Sequence, residues 1–356
     1  MANKQSALIK ELQLYISIDN KLSQADKNSL LNLNSNIENS WAKTVYDYFD
    51  SHLDDNGEPI SLNEFLKSNK NNSDYYKNVE KLFIDNLFKI QKPLFFFDVD
   101  NTLTDRGYLS EEKIEFIKNF KEKHRIILTT GKTYDSIKPV IDALEINENY
   151  ASCLNGSVLV VNGEFTVIEK IGSMSEDIVK VFYDAPFDTV VYYEDNIRLI
   201  KPLKKRSLEH LTRYSELYFE EEKIDYNRVV KVLFFIFDDE PERQNKEEMV
   251  KSYVKNYPEL VCMRTSENTY EIVKKTQHKG NTVKIISKLL KNHYRATIGV
   301  GDSMNDTGLL NYVGKPYVVS TASSELKQFG YESLEENRNT DIVNLIKKFT
   351  KGEKNE

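Results

Sequence analysis

At 356 residues the chain is long enough for two or three domains, each with its own core, and its 40% hydrophobic content is ordinary for a globular protein. A net charge of −7 argues against a general nucleic-acid binder, since such proteins carry a basic face. The opening residues MANKQSALIKELQLY lack the apolar core of a signal peptide, and no stretch approaches the about 20 apolar residues that span a bilayer, so a cytoplasmic protein without a membrane partner is expected.

Residues 1–91 repeat apolar side chains at helical spacing: Leu8, Leu12, Tyr15 and Ile16, then Trp41, Val45, Tyr48 and Phe49, then Tyr76, Val79, Phe83 and Leu87. Loops are expected at 23–27, 54–59 and 68–74, where polar and turn residues collect. The pattern predicts an all-helical domain without catalytic or metal-binding spacing. Its expected role is assembly, including self-association into a homo-oligomer, or regulation.

From Leu94 the rhythm changes to strand and helix in alternation, the pattern of a parallel sheet covered by helices. The stretch LFFFDVDNTLTDRG, Leu94 to Gly107, predicts a strand buried on both faces that stops at Asp98 and Asp100. Residues two apart on a strand face one side, so both carboxylates are expected to converge at the strand's carboxyl end, where open parallel sheets bind ligands. Helices are predicted at 110–123 and 134–144. A second strand, 125–128, ends in Thr129, Thr130 and Gly131, and a third, 151–154, ends in Asn155-Gly156 with 157–161 as its hairpin partner. Cys153 and Cys262 have no CxxC spacing and read as small buried hydrophobes.

Between 164 and 275 the simple repeat breaks. Strands are predicted at 165–169, 189–194, 229–238, 260–264 and 270–273, with helices near 176–183, 207–219 and 241–255, which together suggest an inserted α/β lobe with antiparallel pairs. The run RLIKPLKKR, 198–206, holds five positive charges; it reads first as a solvated loop and helix start, and second as a clamp for an anionic part of a substrate. The earlier rhythm returns with a helix at 280–292, a strand at 296–300 and the turn GDSMND leading into a helix that ends at Tyr312. A strand at 316–319 and helices near 323–329 and 340–349 close the domain.

Asp98, Asp100, Thr130, Lys279, Asp302 and Asp306 thus gather at predicted strand ends and helix starts. Clustered carboxylates repel one another unless a hard divalent cation neutralises them, and Mg²⁺ fits because it takes oxygen ligands and keeps waters that a phosphate displaces. Such a set stabilises a transferring phosphoryl group, and a carboxylate can take that group before water releases it.

The order DVDNT, TTG, a lone lysine in HKG, then GDSMND resembles the haloacid dehalogenase (HAD) superfamily. NG after the third strand, the large lobe before HKG and GDSxND resemble its Cof-like and mannosyl-3-phosphoglycerate phosphatase branch, subfamily IIB, over residues 92–350. The resemblance implies a Rossmann-like core from 92–163 and 276–356, with 164–275 as an inserted α/β cap that sets substrate specificity. It implies Asp98 as nucleophile and Asp100 as general acid/base. Mg²⁺ would be held by Asp98, Asp100 through its carbonyl, Asp302 and Asp306. Thr130 and Lys279 would bind phosphoryl oxygens, with Thr102, Gly131, Asn155 and Asn305 as further phosphate or substrate contacts. Two positions depart from the branch: Asn101 stands where glycine is common, and Lys132 where arginine is common. The implied activity is hydrolysis of a phosphorylated sugar or related small metabolite. A phosphosugar mutase is the rival enzyme, because DVDNTLTDRG also resembles the phosphomannomutase opening, and a regulatory scaffold with a phosphatase-like core is the rival outside enzymes.

Overall fold

The computed structural model describes residues 84, 85, 88 and 91–350, apart from 106, 122–123, 147–149, 213–223, 238, 240–241, 266–267 and 335–339. The predicted helical domain therefore lies outside the described residues except at its end. There Asp85 pairs with Lys315 at 2.8 Å, and the Phe88 ring lies 5.7 Å from that of Phe349.

Two sheets organise the described residues. The larger runs β13-β12-β11-β1-β2-β3-β4-β5, and the smaller runs β7-β6-β8-β10-β9. In the larger, β1 (Leu94–Asp98) lies between β11 (Thr297–Gly301) and β2 (Ile126–Thr129), parallel to both. Phe95, Phe96 and Phe97 have no exposed surface, as expected of a strand covered on both faces; each buried ring contributes about 1.5–3 kcal/mol. Helices α1 (Glu111–Lys121) and α2 (Tyr134–Ala143) carry the chain from β1 to β2 and on to β3 (Tyr150–Cys153), which pairs parallel with β2. Ser110 caps α1, its hydroxyl accepting from the Lys113 amide at 3.3 Å.

The boundary expected at residue 163 moves. After β4 (Val158–Val161), Asn162 and Gly163 both take left-handed angles, φ 51° and 84°, and form the two-residue turn that twisted hairpins favour. That turn returns the chain antiparallel as β5 (Glu164–Val167), so 164–167 extends the core sheet and does not open the inserted lobe.

The inserted sheet comprises β6 (Asp188–Tyr192), β7 (Ile197–Leu199), β8 (Lys231–Phe235), β9 (Leu260–Arg264) and β10 (Thr269–Lys274), all paired antiparallel. Helices α3 (Met174–Phe182) and α5 (Arg243–Val254) cover one face, burying Phe182, Val250 and Val254 with Val232, Phe234 and Ile272. The other face, with Tyr192, Leu233 and Phe235, joins the apolar cluster of the core. β7 replaces part of the loop expected from the basic run, and α4 (Lys205–Thr212) follows it. The basic residues find partners within the lobe. Lys204 donates to the Pro186 carbonyl at 2.9 Å, Arg206 pairs with Asp239 at 2.5 Å, and Lys201 lies over the Tyr183 ring.

The chain re-enters the core through α6 (Asn281–Leu289), β11, α7 (Thr307–Tyr312), β12 (Lys315–Val318), α8 (Ser324–Lys327), β13 (Glu332–Ser333) and α9 (Asp341–Thr350). Cys153 is fully buried in the core, while Cys262 is half-buried among the apolar residues of the inserted lobe.

Candidate active site

β1 ends at Asp98, and the backbone turns at once. The Leu103 amide donates to the Asp98 carbonyl at 3.2 Å and the Thr104 amide to that of Val99 at 2.9 Å. Asn101 takes φ 58° inside this turn, so the asparagine at the usual glycine position fills a left-handed site that its short polar side chain tolerates. Because the strand stops at Asp98, the two-residue alternation stops too. Asp98 and Asp100 consequently have different hydrogen-bond partners, Lys279 and Lys132.

Asp98 is buried and accepts from Lys279 Nζ at 2.5 Å through Oδ1. The same ammonium donates to Asp306 Oδ1 at 2.6 Å. Asp306 Oδ2 in turn accepts from the backbone amides of Asp302 and Ser303, at 2.9 and 3.1 Å. Ser303 and Asp306 close a capping box at the start of the short helix that leads into α7, which fixes Asp306. Carboxylate oxygens of Asp98, Asp302 and Asp306 lie within 4.8 Å of one another.

Glycines let these segments meet. A Cβ on Gly301 would stand 2.5 Å from the Asp306 Cβ and Cγ, and one on Gly156, which has φ 85°, would overlap the His278 carbonyl. The glycines of GDSMND and NG thus permit the close approach of β11, the HKG turn and the end of β3.

Electrostatics follow from burial. Burial first, then the Asp306 charge, pushes Asp98 well above the usual carboxylate range, and the same two causes push Asp302 up to about 6. Burial pulls the Lys279 ammonium down, but Asp306 and Asp98 outweigh it and hold the lysine charged. One ammonium cannot neutralise three carboxylates. The all-oxygen donor set and its excess negative charge therefore fit a hard divalent cation.

The remaining predicted residues lie around this centre. Asp100 accepts from Lys132 Nζ at 2.7 Å, so the second departure from the family pattern has a definite contact. Thr130 follows the β2 residue that pairs with Asp98; it is buried, donates its amide to the Ser152 carbonyl at 2.8 Å, and accepts from the Lys132 amide through its hydroxyl at 3.1 Å. Thr102 Oγ1 and Asn155 Oδ1 are buried without hydrogen-bond partners among the described residues, and the Asn155 backbone amide donates to the Thr130 carbonyl at 2.9 Å. Gly131 lies against the Asn155 side chain. Asn305 is exposed, its side-chain oxygen accepting from Ser303 Oγ at 2.6 Å. Two contributors escaped the sequence reading, Lys231 and Glu271 of the inserted lobe. Lys231 Nζ reaches the Gly131 carbonyl at 3.0 Å and Glu271 Oε1 at 2.6 Å. The available signal was a charged residue inside each of the apolar runs VVKVLFFIF and TYEIV.

The sequence profile of haloacid dehalogenase-like hydrolases matches residues 95–346. YxeH of Bacillus subtilis is 23% identical over 266 residues, covering 71% of this chain and 96% of its own. The glucosyl-3-phosphoglycerate/mannosyl-3-phosphoglycerate phosphatase of Persephonella marina is 24% identical over 242 residues, covering 64% and 84%. Among solved structures, the HAD subclass IIB sugar phosphatase BT4131 has the same fold, with a TM-score of 0.59 at 16% identity over 72% of this chain and 98% of its own. The profile match and the site on the carboxyl edge of the parallel sheet agree: the chain belongs to the haloacid dehalogenase-like hydrolases, in their Cof-like, phosphatase branch.

Proposed function

We propose that this enzyme is a Mg²⁺-dependent phosphomonoester hydrolase acting on a phosphorylated sugar or related small metabolite through a phospho-Asp98 intermediate. The observation that carries the reading is the Lys279 bridge between Asp98 and Asp306, with Asp302 beside them. Asp98, Asp302 and Asp306, with the Asp100 carbonyl, would hold Mg²⁺, which supplies positive charge to neutralise the carboxylates and the phosphoryl oxygens.

In the first step a carboxylate oxygen of Asp98 attacks phosphorus, the bond from phosphorus to the ester oxygen breaks, and Asp100 gives that oxygen a proton. In the second, Asp100 takes a proton from water as the water oxygen attacks phosphorus. The Asp98–phosphorus bond breaks, freeing inorganic phosphate and restoring both acids. Lys279 and Thr130 hold phosphoryl oxygens in place, and Lys279 offsets the charge on Asp98. Thr102, Gly131, Asn155 and Asn305 line the approach. The lobe after β5 acts as the cap, excluding water and selecting the ester, while residues 1–91 serve assembly or regulation. A sugar-derived ester is favoured by the relative that acts on glycosylated phosphoglycerates and by the sugar phosphatase of like fold.

The test is phosphate release from a panel of sugar phosphates with Mg²⁺, in the wild type and in Asp98→Asn. Release by the wild type, abolished in a folded Asp98→Asn, is the expected result. An unchanged rate in the variant removes Asp98 as nucleophile, and isomer formation without phosphate release assigns the mutase reaction.

A further inference from the structure

The inner face of the cap sheet carries a charged pair with no part in the phosphoryl chemistry. Lys231 is only 1% exposed and Glu271 only 5%. Lys231 Nζ donates to Glu271 Oε1 at 2.6 Å and crosses to the core, donating to the Gly131 carbonyl at 3.0 Å; it also lies 4.4 Å from the centre of the Tyr192 ring. The ammonium thus touches the loop between Thr130 and Lys132. Glu271 Oε2, however, is buried and has no hydrogen-bond partner. Asn155 Oδ1 is in the same condition, and it stands so close to Gly131 that a Cβ there would lie 3.0 Å away.

Two desolvated acceptors, one from the cap and one from the core, therefore belong to residues tied to Gly131, Glu271 through Lys231 and Asn155 by direct approach. A buried carboxylate oxygen without a donor is costly, and a donor brought by a ligand removes that cost. Resting on the phosphatase reading above, the geometry points to Glu271 as a specificity-determining residue whose Oε2 accepts a hydrogen bond from a hydroxyl or amino group on the alcohol part of the phosphate ester. Lys231 is the positioning residue that fixes this carboxylate, and Asn155 offers a second acceptor to the same donor-rich group. An ester that brings a carboxylate to Glu271 Oε2 meets like charge and is disfavoured, so at that point the site selects a hydroxyl or amino group.

The experiment compares kcat/KM for hexose phosphates with kcat/KM for p-nitrophenyl phosphate, whose ring has no donor to offer. The enzymes are the wild type, Glu271→Gln, and the double variant Lys231→Met/Glu271→Gln, which leaves no buried ion alone. A Gln amide places a donor where the acceptor stood. The expected result is at least about a tenfold fall in the hexose-to-aryl ratio in both variants, mainly through KM. Equal proportional losses on both esters make the pair merely structural and overturn the assignment, as does an unchanged ratio. A wild type that hydrolyses the aryl ester but no hydroxyl-bearing ester overturns it while the phosphatase reading stands. A wild type that releases phosphate from no ester overturns the phosphatase reading itself.

Discussion

The Lys279 ammonium stands between Asp98 and Asp306, 2.5 Å from one carboxylate and 2.6 Å from the other, with all three side chains buried. Without it, desolvated carboxylates would face each other uncompensated. Lys279→Met is expected to lower phosphate release by on the order of a thousandfold. It should also destabilise the metal-free protein by about 3–5 kcal/mol, the usual consequence of stranding a buried charge. Melting with and without Mg²⁺ checks this, because added metal should recover part of the lost stability but little of the activity.

The carboxylate cluster also sets a pH dependence. Free carboxylates titrate near pH 4, whereas burial and Asp306 push Asp302 up to about 6. Between those values the folded, metal-free protein binds more protons than the unfolded chain. Its stability is therefore full below about pH 4 and falls as pH rises through about 6. Mg²⁺ favours the ionised forms and should remove the fall. The measurement is the melting temperature of chelator-treated wild type minus that of Asp302→Asn across this window; a difference that rises with pH contradicts the electrostatic picture.

Gly301 tests how tightly the site is built. A Cβ there would collide with the Asp306 side chain at 2.5 Å, so Gly301→Ala must displace a residue that binds Lys279. Phosphate release should fall at least a hundredfold, with a stability loss of about 1–3 kcal/mol from overpacking. Gly163→Ala is the control. Its φ of 84° strains an alanine, but no atom lies within 4 Å of the added Cβ and the turn is outside the site, so folded variant should keep wild-type turnover.

Lys132 lies 2.7 Å from Asp100, the proposed acid/base, and donates a charge-assisted hydrogen bond that fixes the carboxylate's orientation. Lys132→Gln should lower kcat for phosphate release by about tenfold, the cost of loosening a positioned acid/base. Lys132→Arg, which keeps a cationic donor, should retain most of the wild-type rate. Initial rates that fall equally in both variants, or in neither, would separate this contact from the proton transfer.

Much of the core was legible because its signals are local. Three consecutive phenylalanines ending at Asp98 specify a strand buried on both faces, and the glycines of NG and GDSMND mark close approaches. Asp98, Lys279, Asp302 and Asp306 could be grouped because each follows a strand or begins a helix, and the parallel sheet carries those ends to one edge. The separate contacts of Asp98 and Asp100 were not legible, since period-two alternation applies only while a strand continues. The 164–167 strand was misplaced because the Asn162-Gly163 turn was not read as a hairpin. Lys231 and Glu271 lie forty residues apart in sequence and meet only through the antiparallel β8–β10 ladder, so neither alone signals a pair.

The central claim is that Asp98 itself receives the phosphoryl group. Acid quenching of wild type with Mg²⁺ and a turned-over sugar phosphate in the pre-steady state, followed by peptide mass mapping, tests it most directly. The expected result is one added phosphoryl group on the peptide containing Asp98, formed and lost at rates consistent with turnover and missing in Asp98→Asn. Phosphate appearing through the first turnover with no phosphorylated peptide at any time would contradict the account.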